Sequence, residues 1–149
     1  MRIALINSKQ DIAGVNIRDN LRTLLREGGP WPLADHELAF HEIDGRLIYQ
    51  DRIDETIDAD LIIFISRHSS VHPTPALTVH VTGNYETADL GGEPGMLAPA
   101  APAWMHAVLQ NLAARAPEGY RVSYEVTHHG PTALAIPSFF VEIGSTAAE

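Results

Sequence analysis

The sequence contains no cysteine, and Lys9 is the only lysine among its 10 lysine and arginine residues. Without cysteine there are no disulfides, and any metal must be held by histidine, aspartate or glutamate. No apolar run approaches the roughly 20 residues of a transmembrane helix. The opening MRIALINS is typical of a strand and not of a signal peptide. These absences predict a soluble, cytoplasmic protein with no membrane partner.

Acidic residues outnumber basic ones, which gives a formal net charge of −9 at pH 7. Broad, non-specific binding to nucleic acid depends on a basic surface, so this charge argues against DNA as a partner. Local exceptions stay open, because arginine is suited to bidentate recognition of phosphate or carboxylate. With 149 residues and 45% hydrophobic content, the chain is expected to form a single α/β domain over residues 1–149.

Hydrophobic periodicity predicts alternating strands and helices along the chain. Asp44 followed by Gly45 is typical of a hairpin turn, so residues 36–43 and 46–49 are predicted to pair as a hairpin. The glycine- and proline-rich section 86–102 predicts a functional surface loop or a mobile segment. The other predicted strands are 3–6, 61–65, 77–82, 121–127 and 139–143, and the predicted helices are 11–27 and 103–116.

This order of elements predicts an α/β fold with a mixed sheet flanked by helices. The first predicted helix ends at Gly28 and Gly29. Residues 144–146 are typical of the turn and cap that open another helix.

Histidine and glutamate side chains collect near the predicted strand ends, where α/β sheets bind their ligands. Histidine and carboxylate groups bind zinc at about 2 Å, and zinc lowers the pKa of a bound water toward about 7. The spacing fits either a zinc or acid–base site or scattered histidines that hydrogen-bond to the backbone, and both interpretations stay open. The candidates are His68, His72, His80, Glu125, His128, His129 and Glu142.

His128 and His129 are neighbours and would point to opposite faces of a continuous strand. At most one of them is therefore expected to enter a given site, unless the Gly–Pro pair that follows kinks the chain. Arg67, beside His68, is either an anion contact or part of a surface ion pair. No GxSxG nucleophile elbow occurs, so activated water is favoured over a covalent intermediate.

Five motifs occur in one order: SRHSS at 66–70, LTVHVTGN at 77–84, ADLGG at 88–92, EVTHHGPT at 125–132 and FVEIGST at 140–146. Together they resemble the archaeal and plant-type D-aminoacyl-tRNA deacylases, from the first strand to the last residue. The resemblance implies a phosphorylase/peptidyl-tRNA-hydrolase-like α/β fold with zinc as a cofactor. It also implies hydrolysis of the ester between a D-amino acid, such as D-tyrosine, and the terminal ribose of tRNA.

The resemblance places the candidate residues inside matched motifs, with aminoacylated tRNA as the expected partner. Water activated by metal or histidine is expected to attack the ester carbonyl. His80, His128 and Glu142 are the expected metal ligands, and together with His129 they form the expected catalytic set. The expected substrate contacts are Arg67, which would hold a phosphate, and His68, Thr82, Asn84, Glu125 and Thr127.

Members of this family normally continue well past the EIGST motif. The chain is therefore expected to be the N-terminal portion of a longer family domain. Two alternatives stay open beside tRNA deacylation. One is another metal-dependent hydrolase of small substrates, and the other is an incomplete fragment that only binds.

Overall fold

The computed structural model describes residues 1–27, 35–70 and 74–144 of the chain. The expected α/β fold, a mixed sheet with helices packed on it, is confirmed. None of the helices in these ranges has the length and hydropathy that crossing a bilayer requires. The strands are β1 (Arg2–Ser8), β2 (Glu37–Ile43), β3 (Leu61–Arg67), β4 (Ala76–Val81), β5 (Gly83–Asn84), β6 (Arg121–Tyr124), β7 (His128–His129) and β8 (Ser138–Gly144), and the helices are α1 (Ile12–Arg26) and α2 (Pro102–Arg115).

The main sheet has six strands in the order β2-β1-β3-β8-β4-β6. The first four run parallel, β4 is antiparallel to β8, and β6 is parallel to β4. β1 and β3 lie inside the sheet because they are apolar runs buried on both faces, as in other parallel sheets. A separate two-stranded ladder joins β5 to β7. The carboxyl ends of β1, β3 and β8 meet at one edge, where ligands of α/β proteins collect.

The two faces of the main sheet are covered in different ways. Apolar residues of α1 and α2 pack on one face. The other face carries Phe64 and Phe140, whose rings stack 4.8 Å apart, and short turns and irregular segments cover it. Because side chains alternate along a strand, Ser66, His80 and Glu142 face the same side as Phe140. These polar residues therefore lie on the face that neither α1 nor α2 covers.

The predicted hairpin at Asp44 and Gly45 is wrong. β2 pairs in parallel with β1, and α1 provides the crossover that a parallel pair needs. The predicted return strand is instead a 3₁₀ turn, Leu47–Tyr49. Leu47 and Ile48 are consecutive and both buried, which a turn against the core allows and an alternating edge strand does not.

The predicted strand over 121–127 is shorter in the structure. β6 ends at Tyr124, and the two histidines that follow belong to the separate β5–β7 ladder. The predicted end of the first helix at Gly28 and Gly29 lies outside the described residues, and so does the helix start predicted at 144–146, apart from Gly144 at the end of β8.

The glycine- and proline-rich section after β5 is packed against the rest of the protein. Asn84 donates a hydrogen bond from Nδ2 to the Gly91 carbonyl oxygen at 2.8 Å, and Gly130 N donates to the Leu90 carbonyl oxygen at 3.1 Å. Gly91 has a φ of +81°, and a Cβ there would clash with the Ile48 carbonyl oxygen. This position therefore requires glycine, and the ADLGG motif fixes the course of the loop.

Asp11 joins the start of α1 to the end of β3. Its Oδ1 accepts a hydrogen bond from Ala13 N at 3.1 Å, which caps the helix. Its Oδ2 accepts one from Arg67 N at 2.7 Å. One carboxylate thus fixes both the helix start and the residue directly before His68.

We expect Asp11→Ala to lower the free energy of unfolding by about 1–2 kcal/mol, because it removes the helix cap together with the bond to Arg67. Asp44→Ala is the matched control, since the Asp44 carboxylate forms an exposed ion pair with Lys9 and such pairs contribute about 1 kcal/mol or less. Urea denaturation followed by circular dichroism measures both variants. Equal losses in the two would contradict the double role of Asp11.

Candidate functional site

Three histidines meet where β4 ends and the small ladder begins. His80 lies on β4, and β7 brings His128 and His129 against β5. The ring centroid of His80 is 5.1 Å from that of His128 and 4.7 Å from that of His129, and the last two are 4.5 Å apart. Both adjacent histidines enter the site, so the limit of one that was expected for a continuous strand does not apply: β6 stops at Tyr124, and the two residues form the separate two-residue β7.

In all three imidazoles Nδ1 lies within hydrogen-bonding distance of a backbone carbonyl oxygen. A carbonyl can only accept, so each Nδ1 carries a proton, and Nε2 presents a lone pair when the ring is neutral. The Nε2 of His80 is buried and forms no hydrogen bond within the part of the chain that the structure describes. Neutral imidazoles fixed in this way are the donor set that zinc binds, so these residues fit a zinc site. The acceptors for His80, His128 and His129 are the carbonyl oxygens of Val81 (2.9 Å), Val126 (2.8 Å) and Gly130 (2.9 Å).

A second group with metal-ligand chemistry consists of His68, Glu125 and Glu142. His68 Nδ1 is 3.2 Å from Glu125 Oε2 and 3.5 Å from Glu142 Oε2. The Glu142 carboxylate also lies 3.8 Å from the Nε2 atoms of His80 and His129. Glu142 therefore borders both groups and connects them into one cluster.

Two contacts from neighbouring strands hold this cluster in place. Ser66 Oγ on β3 donates a buried hydrogen bond of 2.7 Å to Glu142 Oε1. The His80 ring on β4 stacks on Phe140 of β8, with 5.1 Å between ring centroids and 6° between ring planes. Because β8 pairs with both β3 and β4, the register of the sheet sets the positions of the acidic and imidazole side chains.

Burial and charge act against each other in this cluster. Burial works to raise the pKa of the Glu142 carboxyl, but His129, His68 and His80 outweigh it and hold that pKa well below its usual range. Contact with Glu142 raises the pKa of His68. Burial works to lower the pKa of His80, but the Glu142 charge outweighs it, so that the pKa is raised. The two groups are 3.8 Å apart, so their attraction is electrostatic and not a hydrogen bond. Burial lowers the pKa of His128, which favours the neutral form that a metal requires.

The cluster borders a groove of about 900 Å³, which is lined by its members His68, His128, His129 and Glu142. The walls come from the start of α1, the 3₁₀ turn after β2, the end of β3 and the packed loop that carries Leu90. This volume is within the range of small-molecule and cofactor sites. Arg46 also lines the groove, and sequence patterns gave no indication of it because the predicted hairpin put it in a strand.

The structure divides the expected metal ligands between the two groups. His80 and His128 lie together with His129, whereas Glu142 is grouped with His68 and Glu125. The long-range pairing of β8 with β3 causes this division, since it brings Glu142 next to the end of β3. The remaining histidine candidate, His72, lies outside the described residues.

The expected substrate contacts occupy different positions. Arg67 lines the groove. Thr82 is fully buried, and its hydroxyl hydrogen-bonds with Ser138 Oγ at 2.7 Å, so it serves the fold. Asn84 is fully buried as well, and its side chain hydrogen-bonds to Gly91 in the glycine- and proline-rich loop after β5. Thr127 lies between β6 and β7 and is not one of the residues that line the groove.

Comparison with known proteins supports the resemblance seen in the motifs. A family model described as D-aminoacyl-tRNA deacylase matches residues 55–149. The chain is 81% identical to the D-aminoacyl-tRNA deacylase of Methanoculleus marisnigri, over 100% of this chain and 34% of the relative. It is 43% identical to that of Archaeoglobus fulgidus, over 97% of this chain and 56% of the relative. The chain thus spans only about a third to a little over half of the length of these curated relatives.

Two solved structures resemble the fold. The crystal structure of AF0625, a conserved protein of unknown function, matches with a TM-score of 0.81 and 39% identity, over 99% of this chain and 56% of that one. The catalytic domain of CwlV, an N-acetylmuramoyl-L-alanine amidase, matches with a TM-score of 0.54 and 12% identity, over 100% of this chain and 84% of that one. At this identity the match shows a similar fold and nothing further. On the family match and the identities to named relatives, the chain belongs to the D-aminoacyl-tRNA deacylase family.

Proposed function

We propose that this chain hydrolyses the ester bond of D-aminoacyl-tRNA, for example D-tyrosyl-tRNA, and releases the free D-amino acid and tRNA. The observation that carries the proposal is one groove lined by three histidines and a buried carboxylate of the two groups, namely His68, His128, His129 and Glu142, with His80 and Glu125 as the remaining members of those groups. Family membership supports the substrate, because the relatives are named D-aminoacyl-tRNA deacylases. The chain spans 34% of the first relative, so the activity of this portion alone is part of the proposal.

We propose zinc as the cofactor. His80, His128 and His129 would hold it through Nε2, because each Nδ1 is engaged by a backbone carbonyl. Glu142, which borders two of these rings, would complete the ligand set or hold a ligand by hydrogen bonding. Zinc bound at this position would supply the Lewis acidity that makes water nucleophilic near neutral pH.

Ester hydrolysis also needs a base for the attacking water and an acid for the oxygen that leaves. Glu125 Oε2 is buried and lies 3.2 Å from His68 Nδ1, and it has no well-aligned hydrogen bond to any of the described residues. In our proposal Glu125 accepts one proton of the water and His68 passes its proton to the ribose oxygen, after which Glu125 returns a proton to His68 across their 3.2 Å contact. The water oxygen bonds to the carbonyl carbon, the bond from that carbon to the ribose oxygen breaks, and the ribose oxygen keeps the proton.

The groove would bind the rest of the substrate. Arg67, which lines the groove, would contact a phosphate of the terminal nucleotides, since guanidinium–phosphate hydrogen bonds are charge-assisted. Selection of the D-ester over the L-ester is proposed to be steric, because contacts to a side chain alone discriminate weakly. Aminoacylated tRNA as the partner favours a cytoplasmic location and requires neither DNA nor a membrane.

The zinc-loaded chain is expected to deacylate D-Tyr-tRNA and to leave L-Tyr-tRNA nearly intact. Chelation should abolish the activity, and added zinc should restore it. The measurement is release of radiolabelled tyrosine from both substrates, with circular dichroism as a check that the chelated protein stays folded. Equal rates on the two substrates, or no rate from folded, zinc-loaded protein, would contradict the proposal.

The same assay separates the two alternatives. Hydrolysis of small activated esters without action on either aminoacyl-tRNA would indicate a different small-substrate hydrolase. Binding of tRNA without hydrolysis would indicate a portion that lacks a complete catalytic site.

Zinc binding by the imidazole group is tested with His80→Ala. We expect zinc affinity to fall by more than the roughly 10- to 100-fold that outer-sphere partners contribute, because the variant removes a direct ligand. His106→Ala is the matched control, since His106 is exposed on α2 and remote from the groove. Competition with a chromophoric chelator measures both affinities. Unchanged affinity in His80→Ala would exclude this ligand assignment.

A further inference from the structure

We infer that Arg46, braced on the ring of Tyr49, is a binding site for a backbone phosphate at the 3′ end of the RNA substrate. The inference rests on the proposed function for the identity of the substrate. It assigns a residue that lies outside the five shared motifs and the expected site.

The 3₁₀ turn presents Arg46 and Tyr49 in a fixed arrangement. Leu47 and Ile48 between them are buried, with 4% and 8% of their surface exposed, and they anchor the turn in the core. The Arg46 guanidinium lies over the Tyr49 ring, 5.6 Å from its centroid. The other side of the turn is fixed by Gly91, where a Cβ would lie only 2.9 Å from Tyr49 Cδ1. The guanidinium is therefore pre-positioned at the groove, which lowers the entropy cost of binding an anion.

Arg46 differs from the four basic residues of this acidic protein that are seen in ion pairs. In the described ranges no carboxylate pairs with Arg46, although acidic residues are abundant. A guanidinium that lines a groove without a protein anion is suited to an anion from a ligand. Ion pairs with Asp or Glu are seen in the described ranges at Arg2, Lys9, Arg18 and Arg52.

The chemistry of the substrate identifies that anion. In an aminoacyl-tRNA the carboxyl group of the amino acid is esterified and the amino group is cationic. The ribose and the bases are neutral at pH 7. The phosphodiesters are therefore the anionic groups at the 3′ end, and the planar fork of arginine matches a phosphate. With its ester bond at the His/Glu cluster, the substrate would extend along the groove so that a phosphate meets Arg46.

The test compares Arg46→Ala with Arg26→Ala, which removes the same charge from an exposed position on α1 outside the groove. The first probe is a short single-stranded RNA ending in CCA, with binding followed by fluorescence anisotropy. We expect Arg46→Ala to weaken binding about tenfold or more, as loss of a charge-assisted contact does. The slope of log K against log salt should become shallower by about 0.7, the value for one phosphate on a single strand. Arg26→Ala should retain the wild-type affinity and slope.

A second probe separates the phosphate contact from catalysis. D-tyrosyl-adenosine carries the same ester and terminal nucleoside but no phosphate. Arg46→Ala should raise the KM for D-Tyr-tRNA and leave hydrolysis of D-tyrosyl-adenosine unchanged. An equal loss on both substrates would overturn the assignment to a phosphate.

The outcomes also separate this inference from the proposed function. Equal RNA binding by the two variants, or no RNA binding by the wild-type protein, overturns the role of Arg46. Weaker binding in Arg46→Ala, in a protein that hydrolyses neither D-ester, supports the role of Arg46 and contradicts the proposed function. Thermal melts of both variants verify that folding is unchanged, as expected for exposed side chains.

Discussion

The arrangement of the site depends on one buried carboxylate, Glu142, which the sheet holds among three imidazoles. A charge in the interior is costly unless it is paired and hydrogen-bonded. Glu142 meets this requirement with a hydrogen bond from Ser66 and with contacts to His68, His80 and His129. Each partner comes from a different part of the chain, so the cluster forms only when β3, β4 and β8 are in register and β7 lies beside them.

Much of the fold could be predicted from local patterns. The apolar run of β3 and the alternation in β4 identified both strands and put Thr78 and His80 on one face. Local patterns failed where the pairing partner is distant. The Asp44 and Gly45 pair is typical of a hairpin, yet β2 pairs in parallel with β1, because the buried Leu47 and Ile48 redirect the chain.

The sequence predicted which residues form the site, but not how they are divided into two groups. Strand ends and shared motifs identified the histidines and both glutamates. The hydrogen bond between Ser66 and Glu142 joins residues 76 positions apart, and no local pattern encodes it. His128 and His129 both reach the site because the strand before them ends early, and periodicity within the segment did not indicate that end. The sequence did not indicate Arg46, because the predicted hairpin put residues 46–49 in a strand and the structure has a 3₁₀ turn there.

We propose that the cluster of His68, His80, Glu125, His128, His129 and Glu142 is a preformed site for a hydrolytic zinc. Anomalous diffraction at the zinc edge, from crystals of the zinc-loaded protein, would locate the metal. We expect a peak about 2.0–2.1 Å from the Nε2 atoms of His80, His128 and His129, with each Nδ1 still bonded to its carbonyl. No peak at these rings in fully loaded protein, or coordination through Nδ1, would contradict it.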